Sequence, residues 1–397
     1  MGNKKGALVL VAVCIACAGF LVGSAVGQEK SPVPVACVLP QTGSAATWGI
    51  LGAQGVKLGV EQINAAGGLL GRKLELTVLD SQGNPPVSVA AMRKAVALDA
   101  YFVVGTHTSA TTIVNMEVLE KAGIPQFCGS ISPKITQVGN KNIFRTTPNT
   151  NQTAAKARYW ITDVIKSKKL AIIYLADEHG KAYTASLENT LKGTKTEVIE
   201  KISTEPGQVD YTAELMKIQK SGADTVYVVF FTEEFVRFLL QADKLGLTKK
   251  VRIIDKEEAV DLTSVKLAGR AIEGCSSVMS ESHIDPLWWP MAVAHKVRFG
   301  VFPNHDGVKA YLGLMAAVTA TEAIGEFDRK KMKDFLHGRT LWRDECRWMP
   351  VSIHYDENGD IDKESYEIMI KNGEQVISNI LPPTNLEWFE RGSKRCR

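Results

Sequence analysis

The stretch Ile63-Asn64-Ala65-Ala66-Gly67-Gly68-Leu69-Leu70-Gly71-Arg72, followed by Lys73-Leu-Glu-Leu-Thr-Val-Leu-Asp80, decides the fold. Three glycines supply the positive φ angles that stop a helix and reverse the chain, and the alternating apolar run restarts it as a strand. Upstream, Ala53, Val56, Val60 and Ile63 fall on one face at helical spacing. Before them, residues 33–39 read as a buried strand. The unit is therefore strand, helix, strand.

The alternation continues outward. Helices are expected over 87–98 and 110–122, and strands over 101–105 and 125–129. Strand-helix alternation with short Gly/Pro/Asn punctuation predicts a parallel sheet covered by helices on both faces. The pattern breaks at the polar segment 144–152 and restarts. Strands over 169–176, 197–202, 225–231 and 251–255 alternate with helices over 153–165, 181–192, 211–221 and 233–245. A helical region follows (288–299, 308–324, 329–337), and strands over 351–355 and 366–370 flank the acidic turn Asp356-Glu-Asn-Gly-Asp360. The fold class is α/β with two doubly wound parallel-sheet lobes.

Lys4 and Lys5 precede an apolar run over 6–22, and small residues over 23–27 stand before the polar Gln28. This order is that of an export signal, predicting cleavage near Gly27 and a periplasmic location; the rival reading is a retained membrane anchor. About 370 residues then remain, enough for two cores. The formal charge of +4 falls to about +2 without Lys4 and Lys5, giving no footprint for nucleic acid. The cysteines beyond the leader (Cys37, Cys128, Cys275, Cys346, Cys396) show no metal spacing; Cys346 and Cys396 are candidates for a disulfide in an oxidising compartment.

Read with Leu39-Pro-Gln-Thr-Gly-Ser-Ala-Ala-Thr-Trp-Gly49 before it and Asp80-Ser-Gln-Gly-Asn-Pro85 after it, the opening stretch resembles the periplasmic leucine/isoleucine/valine-binding proteins, the amino-acid receptors of ABC importers. The resemblance runs from Val33 to about Gly373. It implies three crossings between lobes, near 145–149, 280–283 and 359–365. One lobe holds 33–147 and 281–360, the other 148–280 and 361–381, with a tail over 382–397. The ligand then lies in the cleft between the lobes, which close by hinge motion.

Site residues follow from the same resemblance. Val103-Val-Gly-Thr-His-Thr-Ser-Ala-Thr-Thr112 runs from a strand through glycine into hydroxyl residues at a helix start, where free N–H groups and the helix dipole suit a carboxylate. The match assigns the ligand contact to Ser109, with Thr108 beside it; the plain alternative is helix capping. The ammonium acceptor is placed at Glu257, with Glu258 the one-residue slip, against the alternative of a solvated charged loop. Trp48 and Phe231 replace tyrosines and His179 replaces an aromatic before Gly180. In the turn Gly129-Ser130-Ile131-Ser132, Ile131 stands where a threonine is expected and Ser130 is the substitute. The resemblance thus implies a small amino acid, branched-chain first, or an aromatic or other small carboxylic acid, delivered to permease subunits by a monomer.

Parts for catalysis are missing. No G-x-S-x-G, H-E-x-x-H, Walker or G-x-G-x-x-G motif occurs. The seven histidines are scattered, and no third group is identifiable to orient His107 beside Ser109. A binding protein without cofactor or metal is expected, with a ligand-sensing receptor ectodomain as the runner-up.

Overall fold

The computed structural model describes residues 30–43 and 45–389. The leader, Cys396 and residues 390–397 of the tail lie outside them. Cys346 is disulfide-bonded, while Cys37, Cys128 and Cys275 are free and buried.

Five parallel strands form the first sheet: β1 (Val33–Leu39), β2 (Leu74–Asp80), β3 (Val103–Gly105), β4 (Gln126–Cys128) and β5 (Ile143–Arg145), in the order β2-β1-β3-β4-β5. The reversal into β2 depends on Gly68, whose φ is +79° and whose added Cβ would stand 2.3 Å from Arg72 O. Helices Ala46–Ala65 and His305–Ile324 pack on one face of the sheet, Pro85–Ala97 and Ser109–Ala122 on the other. The helix His305–Ile324 is buried on all sides from His305 to Thr321, as its nearly uniform apolar sequence requires.

The second sheet contains β6 (Lys169–Leu175), β7 (Glu197–Thr204), β8 (Thr225–Val229), β9 (Arg252–Asp255) and β10 (Ser276–Met279), parallel in the order β7-β6-β8-β9-β10. The chain then leaves it and forms a small antiparallel sheet from β11 (Arg339–Leu341), β12 (Ile353–Tyr355) and β13 (Ile361–Asp362). It returns as the hairpin β14 (Ser365–Lys371) and β15 (Glu374–Leu381), with β14 antiparallel to β10.

The second sheet keeps its five parallel strands and gains an antiparallel hairpin at one edge, where β14 runs against β10. One expectation needs correction. The strands flanking the acidic turn belong to different sheets, since β12 pairs with the two-residue β13. The segment 144–152 is also more regular than its polarity suggests: β5 ends in it, and Asn149 and Gln152 form a capping box that starts the helix Thr150–Tyr159.

Buried ion pairs hold the passages between sheets. Arg145, which ends β5, donates to the Asp360 carboxylate and to Ser130 O. Lys363 lies 2.9 Å from Glu281, and Lys156 lies 3.7 Å from Asp362. Burial holds the Lys156 ammonium down at about 8 despite that partner.

Candidate functional site

Each sheet changes its winding direction beside its first strand, between β1 and β3 and between β6 and β8. Crevices open at the carboxyl ends of strands at such points. A cavity of about 360 Å³ lies there, lined from both sheets.

The first lobe's walls begin at Trp48. Its neighbour Gly49 lets the helix start lie against the strand exit, since a Cβ there would stand 1.7 Å from Pro40 O. The second lobe repeats the device with His179 and Gly180, whose Cβ would stand 2.1 Å from Leu175 O. Trp48 and His179 both line the cavity, and both touch Phe231. The Trp48 and Phe231 centroids are 5.2 Å apart with the rings tilted at 60°, and His179 stacks on Phe231 at 5.9 Å and 17°. Burial holds the His179 imidazole down at about 3, so it is a neutral, flat wall.

At the opposite side the helix Ser109–Ala122 opens into the cavity. Thr108 is its N-cap residue, but no side chain caps the first turn, because the Thr108 hydroxyl turns to Thr111 Oγ1 at 2.6 Å. Ser109 Oγ accepts from Ser132 N–H at 3.1 Å. The simple capping alternative for these residues therefore does not describe the geometry. What remains is an uncapped helix N-terminus beside a fixed hydroxyl, an arrangement whose dipole and free N–H groups suit an anion. Gly129 and Ile131 line the cavity. Ser130 is not among the lining residues: it is fully buried and bonded to Thr112 Oγ1 and Thr106 O.

Glu257 follows β9 and lines the cavity, but its carboxylate is already answered. Lys256 Nζ lies 2.9 Å away, His305 Nε2 3.7 Å and Lys309 Nζ 3.8 Å. Burial opposes its ionisation, and these three charges together overcome that and hold it well below the carboxylate range. The side chain of Glu258 is outside those described. His305 and Asp306 adjoin at 3.2 Å; burial works against a charged ring, yet Asp306 raises His305 to about 9. Asp306 also accepts from His107 Nδ1 at 2.9 Å. A group that orients His107 thus exists, although Ser109 Oγ faces the Ser132 amide.

His305, Asp306 and Lys309 went unnoticed in the sequence. Their signal is present: two basic residues four apart, behind the cap Asn304, opening a helix that is otherwise apolar and buried. Among the described residues no cluster suits a metal ion.

The family described as periplasmic binding protein matches residues 32–371. The leucine-, isoleucine-, valine-, threonine- and alanine-binding protein of Pseudomonas aeruginosa is 27% identical over 368 residues, covering 90% of this chain and 94% of its own. Two solved structures share the fold. The branched-chain amino acid transporter substrate binding protein of Streptococcus pneumoniae, in complex with isoleucine, superposes with a TM-score of 0.79 at 19% identity over 89% of this chain and 100% of its own. A solute binding protein from R. palustris in complex with benzoate gives 0.76 at 18% identity over 89% and 97%.

Proposed function

The chain belongs to the periplasmic binding protein family, and from that premise we propose that it is the substrate-binding protein of an ABC importer, closing on a small carboxylate ligand and handing it to a membrane permease. The family implies an extracytoplasmic location. Cleavage of the leader near Gly27, which would release the protein into the periplasm, is part of the proposal. No helix among the described residues is long and apolar enough to cross a membrane.

The observation that carries the reading is the uncapped helix N-terminus at Ser109, opening into a cavity walled by Trp48 and Phe231 where both sheets change winding. The lobes proposed to close are 33–147 with 281–360 and 148–280 with 361–381. The relatives favour a small α-amino acid, a branched aliphatic one first, with its carboxylate at Ser109 and its ammonium at Glu257. A second reading, an amine-free aromatic or other carboxylic acid, is favoured by the three cationic groups already around Glu257. A thermal-shift screen of amino acids against amine-free carboxylates tests both, since a ligand of the folded state raises its melting point by mass action. No stabilisation by any carboxylate, or turnover of the bound compound, would refute the proposal.

A further inference from the structure

The Asp306 carboxylate sits between two histidines, with His107 Nδ1 2.9 Å from Oδ1 and His305 Nε2 3.2 Å from Oδ2. A carboxylate only accepts, so His107 donates to it from Nδ1, while His305 is held beside it as an ion pair through the charge on its ring. This fixes both rings and leaves their opposite nitrogens, His107 Nε2 and His305 Nδ1, to find partners elsewhere. Both are buried, and neither has one in the protein. Both residues line the ligand cavity, with side chains only 4% and 5% exposed. The outer edge of the His107 ring lies against Gly129, another lining residue; a Cβ there would stand 2.9 Å from Nε2. The glycine keeps open the space that Nε2 faces.

Buried polar nitrogens without partners are costly and rare, and at a cavity wall they mark where a ligand atom completes the bonding. Within the carboxylate-binding reading above, on which this rests, we propose that the ligand is a hydroxylated carboxylic acid without an amine, its hydroxyl recognised by the His107–Asp306–His305 group. A hydroxyl suits the place because it donates to a bare Nε2 and its oxygen accepts from an N–H. An ammonium group would also donate, but it would enter a space that already holds Lys256, Lys309 and a His305 ring kept charged by Asp306. Glu257, the carboxylate that would offset it, is engaged by those same groups. A neutral donor meets no such repulsion.

Calorimetric titration with matched ligand sets tests this: leucine, isocaproate and α-hydroxyisocaproate; phenylalanine, hydrocinnamate and phenyllactate; benzoate with its meta- and para-hydroxy derivatives. In at least one set the hydroxy acid should bind at least about tenfold more tightly than its deoxy parent, and more tightly than any amine of that set, as for a site built to bond a hydroxyl. In His107→Leu the affinity ratio of hydroxy acid to deoxy parent should fall to about one. If His107→Leu does not fold, His107→Phe keeps the ring's bulk and serves instead. A hydroxyl that brings no gain in any set, a gain that survives the substitution, or tightest binding by the amine overturns the inference. If the hydroxyl brings no gain but deoxy acids bind and lose affinity in Ser109→Ala, the carboxylate reading stands while the hydroxyl inference alone fails. If no acid binds, both fall.

Discussion

Trp48 and Phe231 follow strands of different sheets, each at a helix start, yet their rings meet in the cleft with centroids 5.2 Å apart. Such pairs contribute about 0.5–1.5 kcal/mol beyond the area they bury. A double-mutant cycle of Trp48→Ala and Phe231→Ala, read as the denaturation midpoint of the ligand-bound protein, should give a coupling in that range. Strictly additive effects would mean that the rings do not meet when the cleft is occupied.

Ser109 and Ser130 separate binding from support. Ser109→Ala should weaken carboxylate binding by about 1–2 kcal/mol, the usual scale for a hydrogen bond to a charged group. Ser130→Ala should leave affinity unchanged and lower stability by about 1 kcal/mol, because its hydroxyl is spent on Thr112 and Thr106 O. Titration and urea melts of the two variants check this. An affinity loss in Ser130→Ala alone would reverse the assignment.

Glu257→Gln removes the carboxylate that Lys256, Lys309 and His305 share. Removing one partner from a buried ionic group costs about 3–5 kcal/mol, so the apo protein should melt markedly lower. For an amine-free acid the added positive field should hold or raise affinity. For an α-amino acid, affinity should drop. Competition binding with one ligand of each kind separates the readings.

Stability should peak near neutral pH. His179 is held down to about 3, and His283 and His354 to about 4, so the unfolded chain binds more protons below about 6.5 and stability rises toward that pH. His305 is raised to about 9, so its contribution is complete below 6.5 and is lost as pH rises through 9. Lys156, held down to about 8, restores stability only above that pH. The decline between pH 6.5 and 8 therefore belongs to His305 and amounts to about 2 kcal/mol. Denaturation midpoints at the two pH values should differ in the wild type and converge in His305→Gln. An unchanged slope would remove His305 as its source.

How much of this was legible depended on range. The turn at Gly67 to Gly71, the strands β1 and β2 and the helix between them are local patterns, and local periodicity carries them. The placements of Ser109, Trp48 and Phe231 at the cleft came from the resemblance, since nothing local in a tryptophan or a phenylalanine distinguishes wall from core. β5 and β13 stayed hidden because three and two residues are too few to show a period, and β15 because it is a largely exposed edge strand without a clean apolar face. The tie between Asp306 and His107 spans 199 positions, so no spacing reveals it. Glu257 was found as a charge, but the three groups that engage it arrive from packing, two of them on a helix whose apolar body hid its polar end.

The paired glycines beside Trp48 and His179 bear on how such a protein changes over generations. Backbone oxygens of Pro40 and Leu175 leave no room for a side chain at Gly49 and Gly180. One residue upstream of each, a side chain lines the cavity and meets Phe231 across it. Inheritance can therefore rewrite what is carried at positions 48 and 179 while the frame stays as it was. Randomised libraries should show this directly: variants at 48 and 179 should remain folded with scattered ligand preferences, and those at 49 and 180 should be lost from the soluble pool.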